Sequence, residues 1–305
     1  MPLWGIDLGG TKIEGVILES KSNPKVIVRE RISTEAEKGY QHIISQIVRL
    51  VEILSQKTGL TPATIGIGTP GSIDPRTGKM KNSNSTALNG QPLFEDVSKA
   101  LKCEIKMAND ANCFALAETK MGVIREEYPE AQVVFGVIMG TGVGAGYVVD
   151  KQLVVGPNKL TGEWGQNPIP GPMDDYEKSM KRHCGRIGAI EVFLSGPGLE
   201  NWFEYTSGIK KNSREVVNLF KNGDKVAVKV MKKYFERTAR AFSTFVNILD
   251  PDIIVCGGGM SEIDEIYSEL PQLIIPYIAS DIFLTPVTKA EHGASSGVRG
   301  AAHLW

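Results

Sequence analysis

Apolar positions along this chain switch between a period of two and a helical period, and the switches mark out its elements. Residues 3–6 and 13–18 are short apolar runs suited to strands, and residues 26–32 read as a third. Residues 40–57 carry the helical period, with Ile43, Ile47, Leu50, Val51 and Leu54 on one face and Gly59 just past the end. Residues 64–68 and 104–107 read as strands, the second leading into a helix over 111–121. Strands return at 133–139 and 147–149. A Pro- and Gly-rich segment over 156–172 is too irregular for a regular element. Helices resume near Gly188. The longest, 225–249, has an apolar stripe of Val226, Val230, Tyr234, Ala241, Phe245 and Ile248, a core or dimer surface. Pro251 ends it, because the residue before proline leaves the α region. A strand at 253–256, a mostly helical 263–279 and a small-residue helix at 295–304 follow, the last expected to pack back onto the first domain. This order is that of layered α/β domains.

The chain has 305 residues, 42% apolar and 23% charged, enough for two domains with separate cores. A net charge of −1 without a long basic run argues against nucleic-acid binding. Cys103, Cys113, Cys184 and Cys256 form no CxxC pair, so no disulfide framework is expected and a reducing cytoplasm is the expected location. No signal peptide is read at the start, where Asp7 soon interrupts the apolar run. The uncharged stretch 133–149 contains five glycines and reads as two buried strands around a loop, not as a membrane span.

Candidate chemistry sits in the turns. Asp7-Leu8-Gly9-Gly10-Thr11-Lys12 joins two strands, and its tip offers backbone N–H groups to an anion. Gly9 and Gly10 let a phosphate approach the backbone, Thr11 adds a hydroxyl, Lys12 a cation, and Asp7 a carboxylate for a magnesium-bound water. Gly140-Thr141-Gly142-Val143-Gly144-Ala145-Gly146 repeats the strand, Gly-Thr turn, strand order. Gly257-Gly258-Gly259 follows a strand and precedes a helix, a place for a nucleoside to lie against backbone. Residues 66–71 spell GxGxxG, but Pro70 stands inside the motif and no helix start follows, so a dinucleotide fingerprint is rejected; no Walker A loop is present. Asp110 follows a strand and opens a helix, where a cap and a general base are equally good readings.

These residues, with Gly68-Thr69-Pro70-Gly71, Asn82-Ser83-Asn84, Asn109-Asp110-Ala111-Asn112, Gly162-Glu163-Trp164-Gly165, Glu191 and Ser195-Gly196, resemble the ROK family of sugar kinases along nearly the whole chain. The resemblance implies an α/β, two-domain actin-like (RNase H-like) ATPase fold with a cleft between domains. Residues 1–110 with 293–305 would form the smaller domain and 111–292 the larger. Within the family, Leu88-Asn89-Gly90-Gln91-Pro92 and the tail His292-Gly293-Ala294-Ser295-Ser296-Gly297-Val298-Arg299-Gly300 look most like fructokinases and manno(fructo)kinases. No helix-turn-helix extension is read, so a kinase rather than a repressor of the family is expected.

The resemblance makes Asp110 the general base and places Gly71, Asn84, Asn109, Glu163, Gln166 and Glu191 around a sugar. It assigns ATP, with magnesium, to Asp7, Gly9, Gly10, Thr11, Lys12, Gly140, Thr141, Gly142, Gly257, Gly258 and Gly259. Phosphorylation of fructose, at the 6-hydroxyl, is the first expectation. N-acetylmannosamine, N-acetylglucosamine or glucose is the alternative substrate, and a sugar-responsive binding protein without turnover is the alternative of another class. A homodimer without nucleic-acid or membrane partners is expected. The family's structural zinc uses a histidine after Gly-Glu-x-Gly and three cysteines; here Gln166 takes the histidine position and only Cys184 remains, beside His183. One thiol cannot build a tetrahedral site, so no zinc is expected, and nothing like a metal is left to orient Gln166.

Overall fold

The structure, a computed structural model, describes residues 1–182 and 185–305. It divides into two units: Met1–Pro129 with Lys151–Thr161 and Glu291–Trp305, and Glu130–Asp150 with Gly162–Ala290. In chain order the first unit contains β1 (Leu3–Leu8), β2 (Lys12–Leu18), β3 (Val26–Ser33), α1 (Tyr40–Thr58), β4 (Thr64–Thr69), β5 (Ser72–Ile73) and β6 (Met80–Lys81). Then come α2 (Leu93–Leu101), β7 (Glu104–Asn109), α3 (Asp110–Met121) and α4 (Val123–Glu127). The second unit takes β8 (Val133–Met139) and β9 (Val143–Val149), and the chain returns to the first for β10 (Gln152–Leu153). The second unit then takes α5 (Asp175–Ser179), α6 (Glu191–Leu194), α7 (Gly196–Ser207), α8 (Ser213–Lys221) and α9 (Lys225–Leu249). It ends with β11 (Ile253–Gly257), α10 (Glu265–Leu273) and β12 (Val287–Lys289), and α11 (Ser296–Ala302) closes the first unit. Among the described residues no helix is long and apolar enough to cross a membrane.

The first unit's sheet runs β3-β2-β1-β4-β7. β1 to β3 form an antiparallel meander, while β1, β4 and β7 are parallel. Burial follows position in the sheet: β1 is almost wholly buried, and the edge strand β3 alternates between half-buried and exposed. Register sets Asp7 beside Gly68 and Thr69 beside Asn109, so the carboxyl ends of three parallel strands lie along one edge. Within the second unit β9, β8, β11 and β12 are neighbours in that order. The β8–β9 hairpin closes at Met139 opposite Val143, and the parallel partner β11 ends with Gly257 opposite Ile138. Each unit therefore carries a hairpin turn next to the end of a parallel strand.

Helix α1 fulfils its sequence pattern: Ile43, Ile47, Leu50, Val51 and Leu54 are buried, and Gly59 ends it in the left-handed region at φ 70°. Helix α9 departs at its ends. Val230, Tyr234, Ala241 and Phe245 are buried, but Val226 and Ile248 are exposed, Ile248 by 79%. The core contact lies mid-helix, where Phe245 stacks on Phe135 at 4.0 Å between ring centroids and meets the edge of Trp164 at 5.3 Å.

The expected boundary after residue 110 moves. Helix α3 belongs to the first unit because α11 packs on it through glycine. A Cβ at Gly300 would lie 1.7 Å from the Cys113 carbonyl oxygen. On its other side α11 rests against β1 and β4, where a Cβ at Gly66 would lie 1.8 Å from the Ala301 carbonyl oxygen. Buried Glu118 of α3 fastens the junction, accepting from Ser296 Oγ at 2.8 Å and from the Glu291 N–H at 3.1 Å.

Helix α5 has no counterpart in the sequence reading, which found no helix between residue 121 and Gly188. It is one turn long, held by a capping box between Asp174 and Glu177. Glu177 is fully buried and accepts from Arg237 Nε at 2.9 Å and from Arg240 Nη1 at 3.0 Å, both on α9. The Arg237 guanidinium also lies 4.4 Å from the Trp202 ring centroid. Glu177→Ala leaves two buried guanidinium groups short of a counter-charge. It is expected to cost roughly 3–5 kcal/mol in urea unfolding, with the denaturant slope unchanged. A loss near zero would show that water, not Glu177, satisfies these arginines.

Candidate active site

The first unit gathers Asp7, Gly9, Gly10, Thr11, Lys12, Gly71, Asn84, Asn109 and Asp110. The first turn is closed by the Gly9 N–H donating to the Lys12 carbonyl at 3.0 Å. Thr34, which sequence reasoning passed over, braces it from just past β3: its hydroxyl donates to the Gly9 carbonyl at 2.7 Å and its N–H to the Thr11 carbonyl at 3.0 Å. Gly10, Thr11 and Lys12 are left exposed at the tip, as an anion cradle requires.

Gly71 has φ 83°, and a Cβ there would lie 2.5 Å from the Lys81 carbonyl oxygen and 2.8 Å from the Ser83 nitrogen. Only glycine allows this turn to press against the Asn82-Ser83-Asn84 loop, which Asn89 folds through paired bonds to Ser83, each 2.9 Å. Asn84 is exposed on that loop. Asn109 Nδ2 donates to the Gly71 carbonyl at 3.3 Å, tying β7 to the same turn.

The helix start shows how far Asp110 serves as a cap. Asn109 is the N-cap, accepting from the Ala111 N–H at 2.9 Å, and Asp110 is the first helical residue, its Oδ1 accepting from that N–H at 2.8 Å. Capping is therefore shared rather than Asp110's own task. Desolvation raises the Asp110 carboxyl above the ordinary aspartate value, outweighing the Ala111 N–H and the Asn109 side chain that pull it down. The pull of a helix N-terminus toward an ionised carboxylate is thus the weaker influence.

The second unit gathers Gly140, Thr141, Gly142, Glu163, Gln166, Glu191, Gly257, Gly258 and Gly259. Its two glycine turns touch: at φ 86°, Gly258 sits where a Cβ would lie 2.3 Å from the Met139 carbonyl oxygen. Gly259 is exposed, with nothing within 4 Å of a Cβ. Gly196 joins them by donating its N–H to the Gly140 carbonyl at 2.8 Å.

Glu191 links this turn to Gln166 and Glu163. Its Oε2 accepts from the Val143 N–H at 3.1 Å, and a Cβ at Gly142 would lie 2.9 Å from the same oxygen. Its Oε1 accepts from Arg182 Nε at 2.7 Å. Arg182 also donates to Gln166 Oε1, and Gln166 Nε2 donates to Glu163 Oε2 at 3.5 Å. Glu163, Gln166, Arg182 and Glu191 form one chain of hydrogen bonds. Arg182 is a member of this chain that the sequence did not disclose, since nothing local ties it to partners at 166 and 191. It also corrects the expectation that Gln166 is left unoriented: a guanidinium holds its oxygen. His183 and Cys184 lie outside the described residues. Among the described residues no group of three or more His, Cys, Asp or Glu side chains is placed to hold a metal ion.

Comparison with known proteins decides the family. The model described as "ROK family" matches residues 3–305. This chain belongs to the ROK family. It is 35% identical to an N-acetyl-D-glucosamine kinase of Vibrio cholerae over 99% of this chain and 98% of that one. It is 32% identical to one of Haemophilus influenzae with the same coverage. A ROK hexokinase structure from Thermus thermophilus superposes with a TM-score of 0.86 at 25% identity, covering 99% of this chain and 97% of that one. A ROK family glucokinase structure from Streptomyces griseus shares the fold with a TM-score of 0.77 at 20% identity, covering 100% and 99%. The architecture is the actin-like, RNase H-like α/β fold of ROK kinases.

In this ROK chain the first unit's site is short of positive charge. Burial pushes the Asp7 carboxyl up to about 7, and the charges of Asp110 and Glu14 add to it, while Lys12 and Arg31 only partly oppose them. Below the unfolded aspartate value near 3.8, Asp7 is protonated in both folded and unfolded chains and costs nothing. As pH rises the unfolded chain ionises first, so the penalty grows and is complete above about 7. Asp7→Asn should therefore gain stability over the wild type as pH rises from about 4 to about 8, by on the order of a few kcal/mol at the top. Urea unfolding of the ligand-free proteins at each pH reads this, and a pH-independent difference would mean that Asp7 ionises normally.

Proposed function

We propose that this chain transfers the γ-phosphoryl group of ATP to the 6-hydroxyl of N-acetyl-D-glucosamine, with Asp110 as general base. The coarser class needs no proposal: the chain is a ROK sugar kinase, an ATP:sugar phosphotransferase. Fructose yields to the amino sugar because curated relatives matching nearly the whole chain act on N-acetyl-D-glucosamine. The observation that carries the catalytic reading is Asp110 at the start of α3, directly after β7, its carboxyl raised and its neighbour Asn109 tied to Gly71.

A base works best when its pKa approaches the working pH, so a raised carboxyl suits removal of a hydroxyl proton. The other residues orient the reactants. Gly71 and Asn109 form one side of the sugar's surroundings, with Asn84 on the loop beside them. Glu163, Gln166 and Glu191 supply acceptors and an amide for further hydroxyls. Gln166 meets the sugar through its NH2, because Arg182 occupies its oxygen. The exposed tip at Gly10, Thr11 and Lys12 and the paired glycine turns of the second unit bind the nucleotide through backbone N–H groups. The accumulated charge of Asp7 and Asp110 fits a nearby magnesium ion, which arrives with ATP and neutralises phosphate charge.

ADP release across a panel of hexoses and N-acetylhexosamines tests the reading. Activity is expected to be highest with N-acetyl-D-glucosamine, and Asp110→Asn should lower kcat by about 10²- to 10⁴-fold with a smaller effect on sugar affinity. No turnover with any sugar, alongside measurable sugar binding, would instead make this a sensor.

Arg182→Ala should raise the sugar KM by roughly ten- to a hundredfold, the worth of charge-assisted hydrogen bonds, with kcat less affected. Arg182→Lys should recover part of this. Equal losses in both variants through kcat alone would remove the positioning role.

A further inference from the structure

The first unit holds a cavity of about 700 Å³ whose walls include the end of β7, one face of α3, the segment after β10 and the C-terminal residues. Five lysines line it, Lys21, Lys106, Lys120, Lys151 and Lys159, and no aspartate or glutamate does. Among the described residues none of the five joins an ion pair; the lysines that do lie elsewhere. Three unpartnered polar atoms belong to residues of the same wall: Asn112 Oδ1, His303 Nε2 and Trp305 Nε1. His303 is only 7% exposed.

The charges are felt locally. Burial lowers the Lys120 ammonium, with Lys21 and Lys151 adding to the effect. Burial also pushes the His303 imidazole down to about 4, helped by Lys120, Arg125 and Lys21. Like charges collected in a concavity without a counter-charge raise the energy of the empty protein and attract anions. The rest of the wall is apolar where Ile105, Met107 and Leu116 contribute, and Trp305 offers a ring already stacked under Lys106 Nζ at 4.3 Å. A cavity of this size and mixture suits a small molecule rather than a polymer.

The geometry points to a second ligand site in this cavity, taking a small organic phosphate whose phosphate faces the lysines and whose organic part lies on the apolar wall. It is separate from the Asp110 carboxylate but reaches Asn109, the residue that caps α3. Sugar phosphates and nucleoside monophosphates share this chemistry.

Isothermal titration of the full chain with glucose 6-phosphate, AMP and inorganic phosphate tests it. One organic probe is expected to bind one molecule per chain, in the wild type and equally in Asp110→Asn. The tighter of the two names the source. The double variant Lys21→Met/Lys120→Met should weaken it by about tenfold or more. It should melt no lower than the wild type, since it removes repulsion. Should that variant misfold, Lys106→Met/Lys159→Met carries the same expectation. Binding untouched by a folded lysine variant, binding lost in Asp110→Asn alone, no binding at millimolar concentration, or inorganic phosphate binding as tightly as both organic probes overturns the assignment.

Discussion

Parallel pairing is the constraint on which the candidate site depends. In each unit a hairpin strand lies beside a later parallel strand, β1 beside β4 and β8 beside β11. Parallel strands end at the same edge, so the register that places Asp7 beside Gly68 also delivers Asn109 and Asp110 through β7. The same logic sets the Gly258 turn against Met139 in the second unit. Ligand-binding groups at the carboxyl edge of parallel strands are a general outcome of such sheets, because the loops there leave backbone N–H groups free. Shifting β4 by one residue would exchange its isoleucine and glycine faces, both buried, driving a side chain into α11 where Gly66 now lies and separating the carboxyl-edge residues.

Much of this was legible from the chain. Strong periodicity marked β1, β2, α1, β8 and α9, where burial alone dictates which face is apolar. Glycine turns marked both loops, and close approach explains part of the choice: a Cβ would lie 2.8 Å from the Lys12 carbonyl oxygen at Gly9 and 2.9 Å from Glu191 Oε2 at Gly142. What stayed hidden depends on contacts distant in sequence. Helix α5 is too short for a period to register, and its stability comes from Glu177 meeting two arginines on α9. The unit to which α3 belongs is decided by glycines on α11, nearly two hundred residues later. Arg182 gains meaning only from Gln166 and Glu191.

Arg182 also changes how the missing family histidine is understood. A histidine held by a metal has one face fixed and the other free for a ligand. Gln166 reaches a similar state by other means: its oxygen is occupied by a cation, and its NH2 faces Glu163. The guanidinium is in turn fixed by Glu191, which also accepts from the Val143 N–H beside the second glycine turn. The Arg182–Gln166 pair and the second glycine turn are thereby joined through two carboxylate oxygens. A change at Glu191 would disturb both.

Helix α3 separates two opposite electrostatic settings within the first unit. Its first residue, Asp110, adds to the negative charge around Asp7, whereas Asn112, Leu116 and Lys120 recur at intervals of four and face the lysine-lined cavity. Neither setting is neutralised by its own neighbours, and each is the kind of imbalance that a ligand of opposite charge relieves. Both meet at Asn109, which caps α3, bonds the Gly71 turn and lines the cavity. An anion drawn against the lysines would therefore bear on the residue that fixes the start of α3 and, through it, on the carboxylate at that start. The physical route between the two settings is a single side chain, short enough that a shift of its amide must alter either the cap or the turn.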